Sequence, residues 1–96
     1  MATTLATAPT TFETALREQV ESRKSRRGRF LLRKLDGMRP ARRKRVVARL
    51  EAHARAHLVG AGVIGATEAI DWASIDWQKW LGILLQIFLA LLPFLL

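Results

Sequence analysis

The chain has no cysteine, which excludes a disulfide framework, a thiolate zinc site and a cysteine nucleophile. Acidic residues are scarce, 8 Asp and Glu against 16 Lys and Arg in 96 residues, and the net charge is +8. The last 16 residues, Leu81 to Leu96, carry no charge at all. A chain of this length makes one small domain at most, a size at which an enzyme core with a built-in cofactor cleft is not expected.

What is present is unevenly distributed. Fifteen of the basic residues lie between Arg17 and Arg55, opposed there only by Glu18, Glu21, Asp36 and Glu51, so this stretch alone carries +11. Outside it, Lys79 faces Glu13, Glu68, Asp71 and Asp76. The sequence therefore divides into a basic body and an apolar tail.

Residues 1–10, rich in Ala and Thr with Pro9, read as a flexible arm. The arm lacks the basic start and long apolar run of a secretory signal, and Glu13, Glu18 and Glu21 argue against a transit peptide. Residues 11–58 read as a basic helical hairpin. Thr10 and Glu13 have capping-box spacing, and Phe12, Leu16 and Val20 follow at helical intervals. The apolar stripe lapses from Ser22 to Arg29, around Gly28, as in a solvated helical stretch or a hinge. It resumes at Phe30, Leu31, Leu32, Leu35 and Met38, where Asp36-Gly37 predicts a left-handed cap. Pro40 suits the first turn of a second helix, along which Val46, Val47, Leu50, Ala54 and Leu58 form one face and Arg42, Arg45 and Arg49 another. A pair of helices this small calls for a partner or an oligomer. Residues 59–75 read as a Gly-rich connector and residues 76–96 as a hydrophobic helix, which makes the fold class all-α.

No catalytic residue, metal site or cofactor is expected. Gly60-Ala61-Gly62-Val63-Ile64-Gly65 matches the string of a dinucleotide fingerprint. That fingerprint requires a preceding strand and a βαβ unit, whereas a helix precedes it here. His53 and His57 stand four apart with no third ligand at a matching spacing. The stronger signal is arginine, which supplies 12 of the 16 cations. Its planar fork grips phosphate oxygens in pairs. Arg23, Lys24, Arg26, Arg27, Arg29, Arg42, Arg43, Lys44, Arg45 and Arg49 are the candidate polyanion-binding residues, for nucleic acid or anionic lipid headgroups. Aromatic residues are missing from these runs apart from Phe30, so base stacking on single strands gains little support.

In the tail, Ile70-Asp71-Trp72 recurs as Ile75-Asp76-Trp77, where Asp76 can cap a helix and Ile75 can staple onto Trp80. Trp77 to Leu96 is 20 residues, about 30 Å at about 1.5 Å each, the thickness of a hydrocarbon core. Trp72, Trp77, Lys79 and Trp80 are candidate anchors at a membrane interface. Gly82, Gln86, Ala90 and Pro93 share one helical face opposite Leu84, Leu85, Phe88, Leu91 and Leu95, and Gly82, Gln86 and Ala90 are candidates for helix–helix contact. Outside lipid the same stripe would be the exposed edge of a helix buried in protein.

These readings predict a non-enzymatic, membrane-associated adaptor, of the kind found in viral or phage virions, that joins a phosphate polyanion to a bilayer. Its expected partners are membrane lipid or a hydrophobic protein groove, a nucleic acid or anionic headgroup, and further copies of itself or a larger assembly. The basic excess ahead of the span places the body on the cytoplasmic or genome-facing side. Two alternatives stand beside this one: a capsid or assembly protein whose tail docks into protein without membrane contact, and a lysis or pore-forming peptide. In organisation, a basic part ahead of one apolar helix is similar to the small single-span lysis proteins of phages.

Overall fold

The computed structural model describes residues 11–95, so the expected arm at residues 1–10 lies outside it. Four helices and no strand occur among the described residues: α1 (Phe12–Arg23), α2 (Arg26–Asp36), α3 (Pro40–Gly60) and α4 (Trp77–Leu95). The chain is all-α, with one correction to the expected hairpin: its first arm is two helices rather than one.

Local chemistry explains the break. Val20 O accepts from the Ser25 N–H at 3.2 Å and Glu21 O accepts from the Lys24 N–H at 3.3 Å. These bonds close a Schellman-type stop around Lys24, which stands in the left-handed region at φ 51°. One residue later Ser25 Oγ accepts from the Gly28 N–H at 3.0 Å and starts α2. Gly28 is needed for packing: a Cβ there would lie 2.4 Å from Val20 Cγ2, inside contact distance of a fully buried side chain. The helix break and the glycine together fold α2 back onto α1.

Two other caps differ from expectation. α1 is capped by Thr11, whose Oγ1 accepts from the Thr14 N–H at 3.2 Å; Thr10 lies outside the described residues. Glu13 instead pairs with Arg17 one turn on, at 3.0 Å. Gly37 is right-handed at φ −77°, because its N–H simply continues the helical pattern to Arg33 O at 3.1 Å. Arg39 is then extended ahead of Pro40, as a residue before proline prefers.

The glycine string at 60–65 also resolves into a helix stop. Gly62, at φ 77°, sits where α3 ends, with its own N–H bonded to Val59 O at 3.0 Å and the Val63 N–H bonded to Leu58 O at 2.9 Å. Only glycine adopts this backbone without cost.

All four helices contribute to one core. α2 packs against α1, α3 and α4, and α4 also packs on α3. Phe12, Leu16 and Val20 from α1, Leu31, Leu32 and Leu35 from α2, and Val46, Leu50, Ala54 and Leu58 from α3 are buried. α4 adds Trp77, Trp80, Leu81, Leu84, Leu85, Phe88 and Leu92. The Phe12 and Phe88 rings meet edge to face at 5.8 Å, an arrangement favoured by the ring quadrupoles. The helix read from sequence as a tail thus supplies much of the core of its own body.

The connector is tied down by side chains of α3. Arg55 Nη2 donates to Ala66 O at 2.9 Å and to Glu68 O at 2.6 Å. Glu51 Oε2 accepts from Trp72 Nε1 at 3.0 Å. In each half of the Ile-Asp-Trp repeat the aspartate carboxylate accepts from a backbone N–H just beyond a buried indole. Asp71 Oδ1 accepts from the Ala73 N–H at 3.1 Å, and Asp76 Oδ1 from the Lys79 N–H at 3.3 Å.

Candidate functional site: a basic surface beside an apolar helix face

The predicted polyanion-binding residues fall in two groups, around the α1–α2 corner and along the outer side of α3. Arg23, Lys24, Arg26, Arg27 and Arg29 are all exposed at the corner. Arg23 Nε donates to Gln19 Oε1 at 3.2 Å, one turn back. On α3, Arg42, Lys44, Arg45 and Arg49 are exposed. Arg43 is half-buried, with Nη1 3.8 Å from Asp36 Oδ1. Arg42, Arg45 and Arg49 stand at i, i+3 and i+7, which lines them up on one face. No side chain caps the start of α3, and the positive end of its helix dipole lies near Arg42.

Two arginines outside the predicted set serve the fold. Arg17 forks onto Asp36 with Nη2–Oδ1 at 2.7 Å and Nη1–Oδ2 at 3.3 Å, and Arg17 Nε donates to Glu13 at 3.0 Å. The Arg17 hydrogen bonds hold the Asp36 carboxyl below the usual carboxylate range, and Asp36 in turn raises the Arg17 guanidinium. This pair ties the middle of α1 to the end of α2. Arg55 holds the connector, as described above. Such roles need tertiary neighbours and leave no local signal in the sequence.

The three tryptophans predicted as interfacial anchors face the protein interior in this fold. Trp72, Trp77 and Trp80 are buried, and Trp77 Nε1 donates to Trp72 O at 2.8 Å. Lys79 is exposed, with its ammonium 5.1 Å from the Trp80 ring centroid. His57 is half-buried with its ring edge-on to Trp80 at 5.5 Å, and His53 is exposed. No group of three His, Cys, Asp or Glu gathers among the described residues.

Gly82, Gln86, Ala90 and Pro93 are exposed along one side of α4. Ile83 and Phe94 belong to the same outer surface, 41% and 85% exposed, and Ile87 is half-buried beside them. Of the residues expected opposite that stripe, Leu84, Leu85 and Phe88 are buried and Leu91 and Leu95 half-buried, and Leu92 is buried as well. α4 is long and apolar enough to cross a membrane.

Exposed basic side chains lie on α1, α2 and α3, and an uncharged strip that includes Ile83 and Phe94 lies on α4. Compared with protein-family models, curated proteins and solved structures, the chain matches none.

Proposed function

We propose that this protein is a non-enzymatic adaptor that joins a phosphate polyanion, nucleic acid or anionic lipid headgroups, to a bilayer. The arginines of the α1–α2 corner and of α3 bind phosphate, and α4 provides the contact with lipid. The observation that carries this reading is the outer side of α4. It stays apolar at Ile83 and Phe94, which are exposed and lie outside the packed core. Water disfavours such a strip and hydrocarbon accepts it. On this reading the body lies on the cytoplasmic or genome-facing side, where anionic phosphates are concentrated.

Flotation of the full chain on vesicles tests the reading. The expected result is flotation on anionic vesicles that weakens with salt, with a residual, salt-resistant fraction that Ile83→Lys removes. Absence of flotation on both anionic and zwitterionic vesicles overturns it. For the phosphate arm, retention on duplex DNA should fall as log salt rises, and retention flat in salt removes that arm.

The seating of α4 in its own body favours a second reading, an assembly protein without membrane contact whose exposed α4 strip pairs with protein. A virion component fits either reading. That version is supported if the chain fails to float and instead forms oligomers that Ile83→Lys dissociates.

A further inference from the structure

Where the outer face of α3 meets the last turn of α4, a cleft of about 260 Å³ is lined by Arg42, Arg45, Val46, Arg49, Phe94 and Leu95. Its composition is unusual for a basic surface. Among the described residues no carboxylate side chain lines it, and Arg45 and Arg49 have no hydrogen bond or ion pair there. On the opposite wall stands Phe94, more exposed than Phe30, Val63 or Ile83. The guanidiniums of Arg45 and Arg49 repel one another and gain when an anion enters between them. An exposed phenyl ring gains when an alkyl chain covers it. Nucleic acid or free phosphate would satisfy the arginines and leave Phe94 and Leu95 wet.

We propose that this cleft binds one anionic phospholipid. Its phosphate sits between the forks of Arg45 and Arg49 with Arg42 alongside, and the first methylenes of its acyl chain run over Val46, Phe94 and Leu95. Arginine suits the headgroup because each fork donates two parallel bonds to phosphate oxygens. The volume lies just under the roughly 300 to 1,000 Å³ of pockets that enclose a whole small ligand, as suits a headgroup and the start of a chain. The proposal deepens the adaptor reading, on which it rests, by giving one lipid class a defined seat.

Titration of the full chain with dihexanoylphosphatidic acid below its micellar concentration, followed by calorimetry, tests the cleft without vesicles. Saturable one-to-one binding is expected, with inorganic phosphate and dihexanoylphosphatidylcholine each about tenfold weaker, the worth of one charge-assisted contact or of the chain contact. Arg45→Gln combined with Arg49→Gln should weaken the phosphatidic acid by about tenfold or more, and Phe94→Ser by about fivefold. The three side chains are exposed, so the thermal melt of each variant should match the parent and separate lost binding from lost fold. The proposal is overturned if binding is not saturable, if inorganic phosphate binds as well as the short lipid, or if neither variant changes the affinity. Vesicle flotation that persists while these titrations fail removes the cleft and leaves the adaptor reading; saturable short-lipid binding without flotation does the reverse.

Discussion

α3 and α4 are close in length, 21 and 19 residues, and each lays one side into the same core, yet their outer sides have opposite chemistry. α3 buries Val46, Leu50, Ala54 and Leu58 and turns Arg42, Lys44, Arg45 and Arg49 to solvent. α4 buries seven side chains and still presents Ile83, Gln86, Ala90 and Phe94. Folding requires one apolar side of a helix and leaves the other to solubility or binding. The outer side of α3 meets the solubility requirement; that of α4 does not, and this excess of apolar surface is what folding leaves unexplained.

The contrast can be broken most forcefully at the inner side of α4. Phe88 is fully buried against Phe12, and Phe88→Ala should cost about 3–5 kcal/mol in urea unfolding, from lost burial and the cavity left behind. A loss below about 1 kcal/mol, the scale of surface substitutions, would mean that α4 does not hold the core. The same packing makes removal of α4 a poor test of membrane binding, since it would unfold the body.

Gly28→Ala probes the corner that brings α2 beneath α4. The added methyl meets Val20, and the overpacking cost of about 1–3 kcal/mol is only partly offset by a gain in helix propensity of about 1 kcal/mol. A net loss of about 1 kcal/mol by thermal melting is expected on those two magnitudes; a more stable variant would show that the two helices do not approach so closely.

Smaller still is the effect of Asp36→Asn on stability. Arg17 and Asp36 are both partly exposed, so solvent screening limits the pair to about 1 kcal/mol or less. Because the folded state holds the Asp36 carboxyl below its usual range, the pair stabilises above the ordinary carboxylate pKa and is lost as pH falls through the depressed one. Acid titration of the parent should show this loss and the Asn variant should lack it; equal acid sensitivity of the two would remove the tie from the account.

Ile83→Lys sharpens the comparison at the opposite extreme. Stability should change by no more than about 0.5 kcal/mol, as for other exposed positions, while salt-resistant vesicle binding disappears. A variant that keeps that binding would show that the outer side of α4 is not the lipid contact.

Much of the fold was legible because it rests on local rules. Pro40 opens α3, Asp76 caps α4, and the stripe Val46, Leu50, Ala54, Leu58 is buried. Less legible was the break at Lys24, because the left-handed stop is occupied by lysine where glycine would have announced it. Gly37 misled for the converse reason: a glycine permits a left-handed cap and does not require one. In the candidate site, the Arg42, Arg45, Arg49 row could be read from spacing. Its proximity to Phe94, on another helix, could not.

The sequence by itself determined the all-α class, the concentration of charge between Arg17 and Arg55 and the apolarity of the last helix, since periodicity and composition are properties of neighbours along the chain. Tertiary structure decided where the apolar helix goes. Trp72, Trp77 and Trp80 pack inward, their positions at a helix start being equally suited to a bilayer boundary or a protein core. Apolar periodicity specifies that a face must leave water; only the shape of the surface offered by α1, α2 and α3 specifies what it leaves water for.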